Sequence, residues 1–233
     1  MRSVMLAFTG ATLVAASAGA DVTGVTTMSY EVTVGDFGGT TVSAYVTDLY
    51  VTSDDMSDVL LNVYDLTLGS NAPSSYYQSA TSTGWLAQNA GGIFDSPALQ
   101  QADSFVTIGG FGADGLQSPG AGTGSALDPN FGGNTAAGPG ALAGWYNSSP
   151  PSLNGAVMTY DSGVTGVLVG RFSSLSGQVD LTGSTMSLTW NQGLGTTPAQ
   201  GSFTVEGSTP VVPGLGGVFA LAGIGLIGRR QRR

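Results

Sequence analysis

Three long runs near the start of the chain alternate Val, Thr and aromatic residues with polar ones. They cover residues 22–34, 40–52 and 59–68, and the period is that of a half-buried β-strand. The third is the densest, with Val59, Leu60, Leu61, Val63 and Tyr64 close together. Shorter runs of the same character occupy 76–80, 104–109, 156–160, 166–172, 178–181, 185–190 and 202–206. Gly and Asp clusters separate them, among them Gly35-Asp36-Phe37-Gly38-Gly39, Asp54-Asp55, Asp161-Ser162-Gly163 and Gly193-Leu194-Gly195. No stretch carries a convincing 3.6-residue apolar period. The pattern predicts an all-β body, read as a β-sandwich rather than a barrel, with jelly-roll-like and Ig-like strand orders both open. Residues 109–144 break the rhythm with many Gly and with Pro119, Pro129 and Pro139. They read as a long Gly-rich excursion from the sheets.

The two ends follow a different logic. Met1-Arg2-Ser3 is a short positive start, residues 4–14 are apolar, and Ala18-Gly19-Ala20 has the small-x-small form of a signal-peptide cleavage site. Residues 1–20 are therefore expected to be a signal helix, cut after Ala20. At the other end, Pro210-Val211-Val212-Pro213-Gly214 breaks the chain before an apolar, Gly-containing stretch. Residues 211–227 would span about 25 Å as a helix, slightly less than a hydrocarbon core of ~30 Å. Arg229, Arg230, Arg232 and Arg233 follow, and such a cluster holds its end of a membrane segment in the cytoplasm. The expected division is a signal peptide at 1–20, a β-domain at 21–207 and a hydrophobic helical tail at 208–233.

A Pro-containing break, a Gly-bearing apolar helix and a terminal Arg run resemble the PEP-CTERM sorting signal of Gram-negative and planctomycete bacteria. The matching positions are Pro213, Gly214, residues 215–227, and Arg229, Arg230, Arg232 and Arg233. Where that family has Pro-Glu-Pro, this chain reads Val212-Pro213-Gly214, a form similar to planctomycete versions. The resemblance implies an exosortase-like processing enzyme as partner, after the export machinery and signal peptidase. It also implies delivery of the body to the cell surface or matrix, with the tail in the membrane at least until it is processed. Within the body, residues 103–109, 144–147 and 166–172 resemble a layout in exported planctomycete proteins that brings no activity with it.

Composition narrows the chemistry. The chain has no Cys and no His, and its six basic residues are all Arg. Disulfides, thiolate metal sites, a Cys nucleophile, the commonest general base and Schiff-base lysines are all excluded. Five of the six Arg lie in the terminal segments, so the body sets Arg171 against fifteen acids, thirteen of them Asp. A body this acidic repels nucleic acid and anionic lipid.

The acids suggest three kinds of site. Asp54, Asp55 and Asp58 share a loop, and Asp128 and Asn130 stand two apart. Oxygen donors so placed suit a hard cation such as calcium, as against plain solvated turns. Asp161-Ser162-Gly163 follows a strand as an aspartic-protease triplet does, but lacks the second triplet which that chemistry needs, so a β-turn is the reading. Paired carboxylates could hydrolyse glycosides, although thirteen Asp create pairs by chance. Trp85, Trp145 and Trp190, with Tyr76, Tyr77 and Tyr146, could line a sugar-stacking face or fill the core. The expectation is an exported, non-enzymatic surface or matrix protein with structural or adhesive duty and no resident cofactor. The alternatives are a polysaccharide- or calcium-binding module and a carboxylate hydrolase.

Overall fold

The structure is a computed structural model that describes residues 21–87, 95–116 and 124–210. Both terminal segments expected to be helical, and with them Ala18, Ala20, Pro213, Gly214, Arg229, Arg230, Arg232 and Arg233, lie outside the described residues.

The body is all-β. In chain order its strands are β1 (Val22–Gly35), β2 (Thr41–Ser53), β3 (Val59–Thr67), β4 (Phe105–Val106), β5 (Ser125–Leu127), β6 (Ala143–Asn147), β7 (Met158–Thr159), β8 (Thr165–Ser174), β9 (Thr185–Asn191), β10 (Ala199–Thr204) and β11 (Ser208–Pro210). Among the described residues one α-helix, α1 (Pro97–Gln101), precedes β4, with Ser96 capping the Leu99 N–H and Pro97 in its first turn. Among the described residues no helix is long and apolar enough to cross a membrane.

The strands form two sheets. The first has the order β11-β1-β2-β8-β4, with β7 added beside β8; the second has the order β10-β9-β3-β6-β5. Every pairing is antiparallel except β11 on β1. One apolar cluster draws on both sheets. Val25, Leu49, Val51, Val167, Val169 and Phe172 come from the first, and Leu60, Val63, Leu66, Trp145, Leu188 and Trp190 from the second. Each such side chain contributes about 1.5–3 kcal/mol on full burial.

The first sheet is covered on its other face too. There Val42, Ala44 and Val46 pack with Ala102, and Tyr50 and Leu168 pack with Phe105, Phe111 and Tyr160. This explains why β1 reads as apolar on both alternations: Val25 faces one layer, while Met28, Tyr30, Val32 and Val34 face the other.

A bulge in β8 sets up the most consequential side chain. Leu49 pairs with Gly170 but Tyr50 pairs with Leu168, so Val169 is an extra residue between them. Strict alternation from Val167 would send residue 171 into the cluster shared by the sheets. The extra residue reverses the parity beyond it, and Arg171 emerges opposite Asp48 on the other face.

Several expectations shift. Residues 76–80 and 178–181 form no strand. The first instead lends single backbone bonds, Tyr77 N–H to the Ser173 carbonyl and Ser104 N–H to the Tyr77 carbonyl. The Gly-rich stretch contains β5 and the start of β6, and β10 begins at Ala199 rather than 202.

Candidate functional site

Asp161-Ser162-Gly163 is a tight turn between β7 and β8. Gly163 N–H donates to the Tyr160 carbonyl at 2.8 Å, and Tyr160 N–H to the Val164 carbonyl at 2.8 Å. The three Trp are interior, at 1%, 0% and 5% exposure for Trp85, Trp145 and Trp190. Each indole N–H has its own acceptor: the Ala136 carbonyl, the Thr107 carbonyl and the Asp21 carboxylate. They therefore form no exposed stacking face. Trp85 sits in an aromatic cluster with Tyr76, Phe131 and Phe172. Tyr146 alone of the six aromatics is exposed.

The oxygen donors proposed for a cation fall in two places. Asp128 starts a single 3-10 turn, Pro129–Phe131, by accepting the Phe131 N–H at 3.0 Å, and Asn130 lies exposed within that turn. Asp54, Asp55 and Asp58 lie in the connection between β2 and β3. Asp54 accepts from the Asp21 backbone N–H at 2.7 Å. Asp55 accepts from both the backbone N–H and the hydroxyl of Ser57, which hold its carboxyl below the usual range. Asp58 is buried; its Oδ2 accepts from the Ser53 hydroxyl at 2.6 Å, while its Oδ1 has no partner. Burial raises the Asp58 carboxyl, the Ser53 hydroxyl pulls it back, and the charges of Asp55, Asp21 and Asp54 add to the rise. Among the described residues no group of three or more His, Cys, Asp or Glu side chains is arranged to hold a metal ion.

A different carboxylate centre lies on the covered outer face of the first sheet. Arg171 and Asp48 form a buried ion pair there, 2.7 Å from Nε to Oδ1. Four guanidinium N–H bonds are used: Nε and Nη2 donate to Asp48, Nη2 also to the Gly115 carbonyl, and Nη1 to the Gln100 carbonyl. The Tyr30 hydroxyl donates to Asp48 Oδ2 at 3.0 Å, and the Arg171 cation lies over the Phe105 ring. Burial raises the Tyr30 hydroxyl pKa, with Arg171 opposing and Asp48 reinforcing. Above this pair is a cavity of about 200 Å³, lined by Met28, Tyr30, Tyr50, Asp114, Leu116 and Tyr160 among others. Arg171 thus ties together β2, β8, the end of α1 and the loop at Gly115.

Two more carboxylates hold loops. Asp36, at the β1–β2 turn, accepts from the hydroxyls of Tyr77, Ser79 and Ser96 and from the N–H groups of Phe37 and Ala80. Its slight burial opposes ionisation, but these donors win and hold the carboxyl well below the usual range. Asp103 is buried and accepts from the Ser79 N–H and the Ser82 hydroxyl. Sequence reading missed Arg171, Asp48, Asp36 and Asp103 as centres. The signal available for the first was a lone Arg inside the apolar run 166–172, where an unpaired charge could not be buried.

No family model, curated protein or solved structure matches this chain.

Proposed function

We propose that this chain is an exported cell-surface or matrix protein whose body, a β-sandwich, has a structural or adhesive role and no catalytic activity of its own. A signal peptide at 1–20 carries it across the membrane, and the PEP-CTERM-like tail sorts it. The observation that carries the structural part is the use made of buried and loop carboxylates. Asp36, Asp103 and Asp128 accept hydrogen bonds from the chain's own loops, and Asp48 accepts from Tyr30 of β1 and Arg171 of β8. These polar groups are spent on holding the shape of the body. The start of β1 at Val22, one residue past the expected Ala20–Asp21 cut, supports the N-terminal half of the reading. At the other end β11 (Ser208–Pro210) pairs with β1, which favours tail removal beyond Pro210, leaving that pairing intact.

Fractionation of the native host combined with intact-mass measurement tests this. The expected product is outside the cytoplasm, begins at Asp21 and ends between Pro210 and Gly214. A body confined to the cytoplasm would sink the proposal. A surface species still carrying residues 229–233 would remove processing and leave a membrane-anchored protein.

A further inference from the structure

Asp21 is held more firmly than the first residue of a domain needs to be. Its carbonyl accepts from the Ser53 hydroxyl at 3.3 Å and from the Asp54 N–H at 3.4 Å, and its carboxylate accepts from Trp190 Nε1. Its own nitrogen lies 2.7 Å from Asp54 Oδ1. The Ser53 hydroxyl that reaches Asp21 also donates to Asp58 Oδ2 at 2.6 Å. Asp58 is 1% exposed, and its other oxygen is without a donor. Asp21, Asp58 and Trp190 line one cavity of about 340 Å³. Asp21 and Asp58 thus share a cavity that contains an unused buried acceptor, Asp54 accepts from the Asp21 nitrogen, and the charges of Asp21, Asp54 and Asp55 all act on Asp58.

We propose that the cation of this site is the chain's own α-ammonium, created when the Ala20–Asp21 bond is cut. The inference rests on the signal-peptide reading above. In the cut, water adds across the peptide bond. The carbon–nitrogen bond breaks, hydroxide joins the Ala20 carbonyl carbon, and the nitrogen leaves as an amine that is protonated at neutral pH. No electrons change hands. One amide N–H becomes an ammonium with three donors and a full positive charge, at a nitrogen already within hydrogen-bond distance of Asp54. Asp54 gains a charge-assisted partner, a positive charge enters beside the cavity that Asp21 shares with the buried Asp58, and the mutual repulsion of the acids is offset. Maturation therefore tightens the hold of the β2–β3 connection on the start of β1 by adding charge to a hydrogen bond that the uncut chain makes through an amide.

The chain has no Lys, so after cleavage its α-amino group is its sole primary amine and acetylation is selective for it. Acetylation also restores an amide at the same nitrogen, as in the precursor. The test uses the protein purified from its native host. Intact mass first establishes whether it begins at Asp21. Pulsed acetylation at neutral pH is then compared in the native and urea-unfolded states. Native labelling should be at least about tenfold slower, the effect of a one-unit rise in the amine pKa above its usual value near 8. The acetylated protein should melt at a lower temperature. In Asp54→Asn the amine should label faster than in the parent, and acetylation should shift the melting temperature less. A protein that begins at Asp21 but labels equally fast folded and unfolded, with an unchanged melting temperature, overturns the inference and leaves the signal-peptide reading intact. A protein that begins elsewhere overturns both.

Discussion

Arg171 and Asp48 are 123 residues apart in sequence and meet as a parallel fork, Nε to Oδ1 at 2.7 Å and Nη2 to Oδ2 at 2.9 Å. Both side chains are buried. Removing one partner strands the other charge, so Asp48→Leu or Arg171→Met should each cost about 3–5 kcal/mol. The double variant should cost much less than the sum, because both charges leave together and apolar atoms fill the space. Urea unfolding of the four proteins checks this. Single variants that cost under about 1 kcal/mol would place the pair with exposed ion pairs, and the fastening role would fall.

Asp103 gives stability an unusual pH slope. Burial pushes its carboxyl up to about 7, against the Ser79 N–H, the Ser82 hydroxyl and the Arg171 charge, which lower it. An Asp in the unfolded chain titrates near 3.9. Between about 4 and 7 the folded protein keeps a proton that the unfolded chain has released. This contribution is fully present below about 4 and is lost as the pH rises through about 7. Asp58, also raised by burial, adds a slope of the same sign. Asp103→Asn keeps a neutral side chain at the site, so its melting temperature should vary less from pH 4 to 7 than that of the parent. Identical slopes in the two proteins would show that Asp103 does not titrate in this window.

Asp36 is expected to hold the loops rather than the sheets. Its five donors come from the β1–β2 turn, from residues 77–80 and from the cap of α1. The carboxylate is half-buried and partly screened by solvent, so Asp36→Ala should cost only about 1–2 kcal/mol of global stability. The local effect should be larger. Amide exchange at Ala80, which donates to Asp36 at 3.0 Å, should rise well beyond the change in β2 or β8. A uniform rise across the body would mean that the clamp acts globally.

What could be read from the sequence follows from how far each signal reaches. The first three strands were legible because Val, Thr and aromatic residues alternate with polar ones over long runs. α1 was not, because five residues cannot display a helical period. β5 was hidden because Ser125, Ala126 and Leu127 are too few to alternate, and what makes them a strand is pairing with β6. The Arg171 centre was invisible for a geometric reason. Its parity depends on a bulge at Val169, and its partner Asp48 lies on a strand distant in sequence. The acids at 54–58 were legible as a cluster. Their tie to Asp21 was not, because it needs the β1–β2 pairing that places Val22 opposite Ser53.

The chain passes from one sheet to the other at Gly155, and that passage depends on the absence of a side chain. The Gly155 carbonyl accepts from the Leu60 N–H at 2.8 Å, the Val157 N–H donates to the Asp58 carbonyl at 3.0 Å, and Ala156 bridges Val59. Only two residues later, Met158 pairs with Gly166 in the other sheet. A Cβ at residue 155 would lie 2.0 Å from the Leu60 carbonyl oxygen, a contact that backbone must move to relieve. Gly155→Ala should therefore pull residues 155–157 off β3 and cost at least about 3 kcal/mol, the upper range for overpacking. Gly163→Ala is the control. It has a φ of 86° but nothing within 4 Å of an added Cβ, so only left-handed backbone strain of about 1–2 kcal/mol applies. Urea midpoints of the two variants separate steric from conformational cost. If Gly155→Ala is no worse than Gly163→Ala, the close approach to Leu60 is not what fixes the crossing. If it is worse, faster amide exchange at Leu60 and Val157 than at the β9 amides should identify the crossing as the part that opens first.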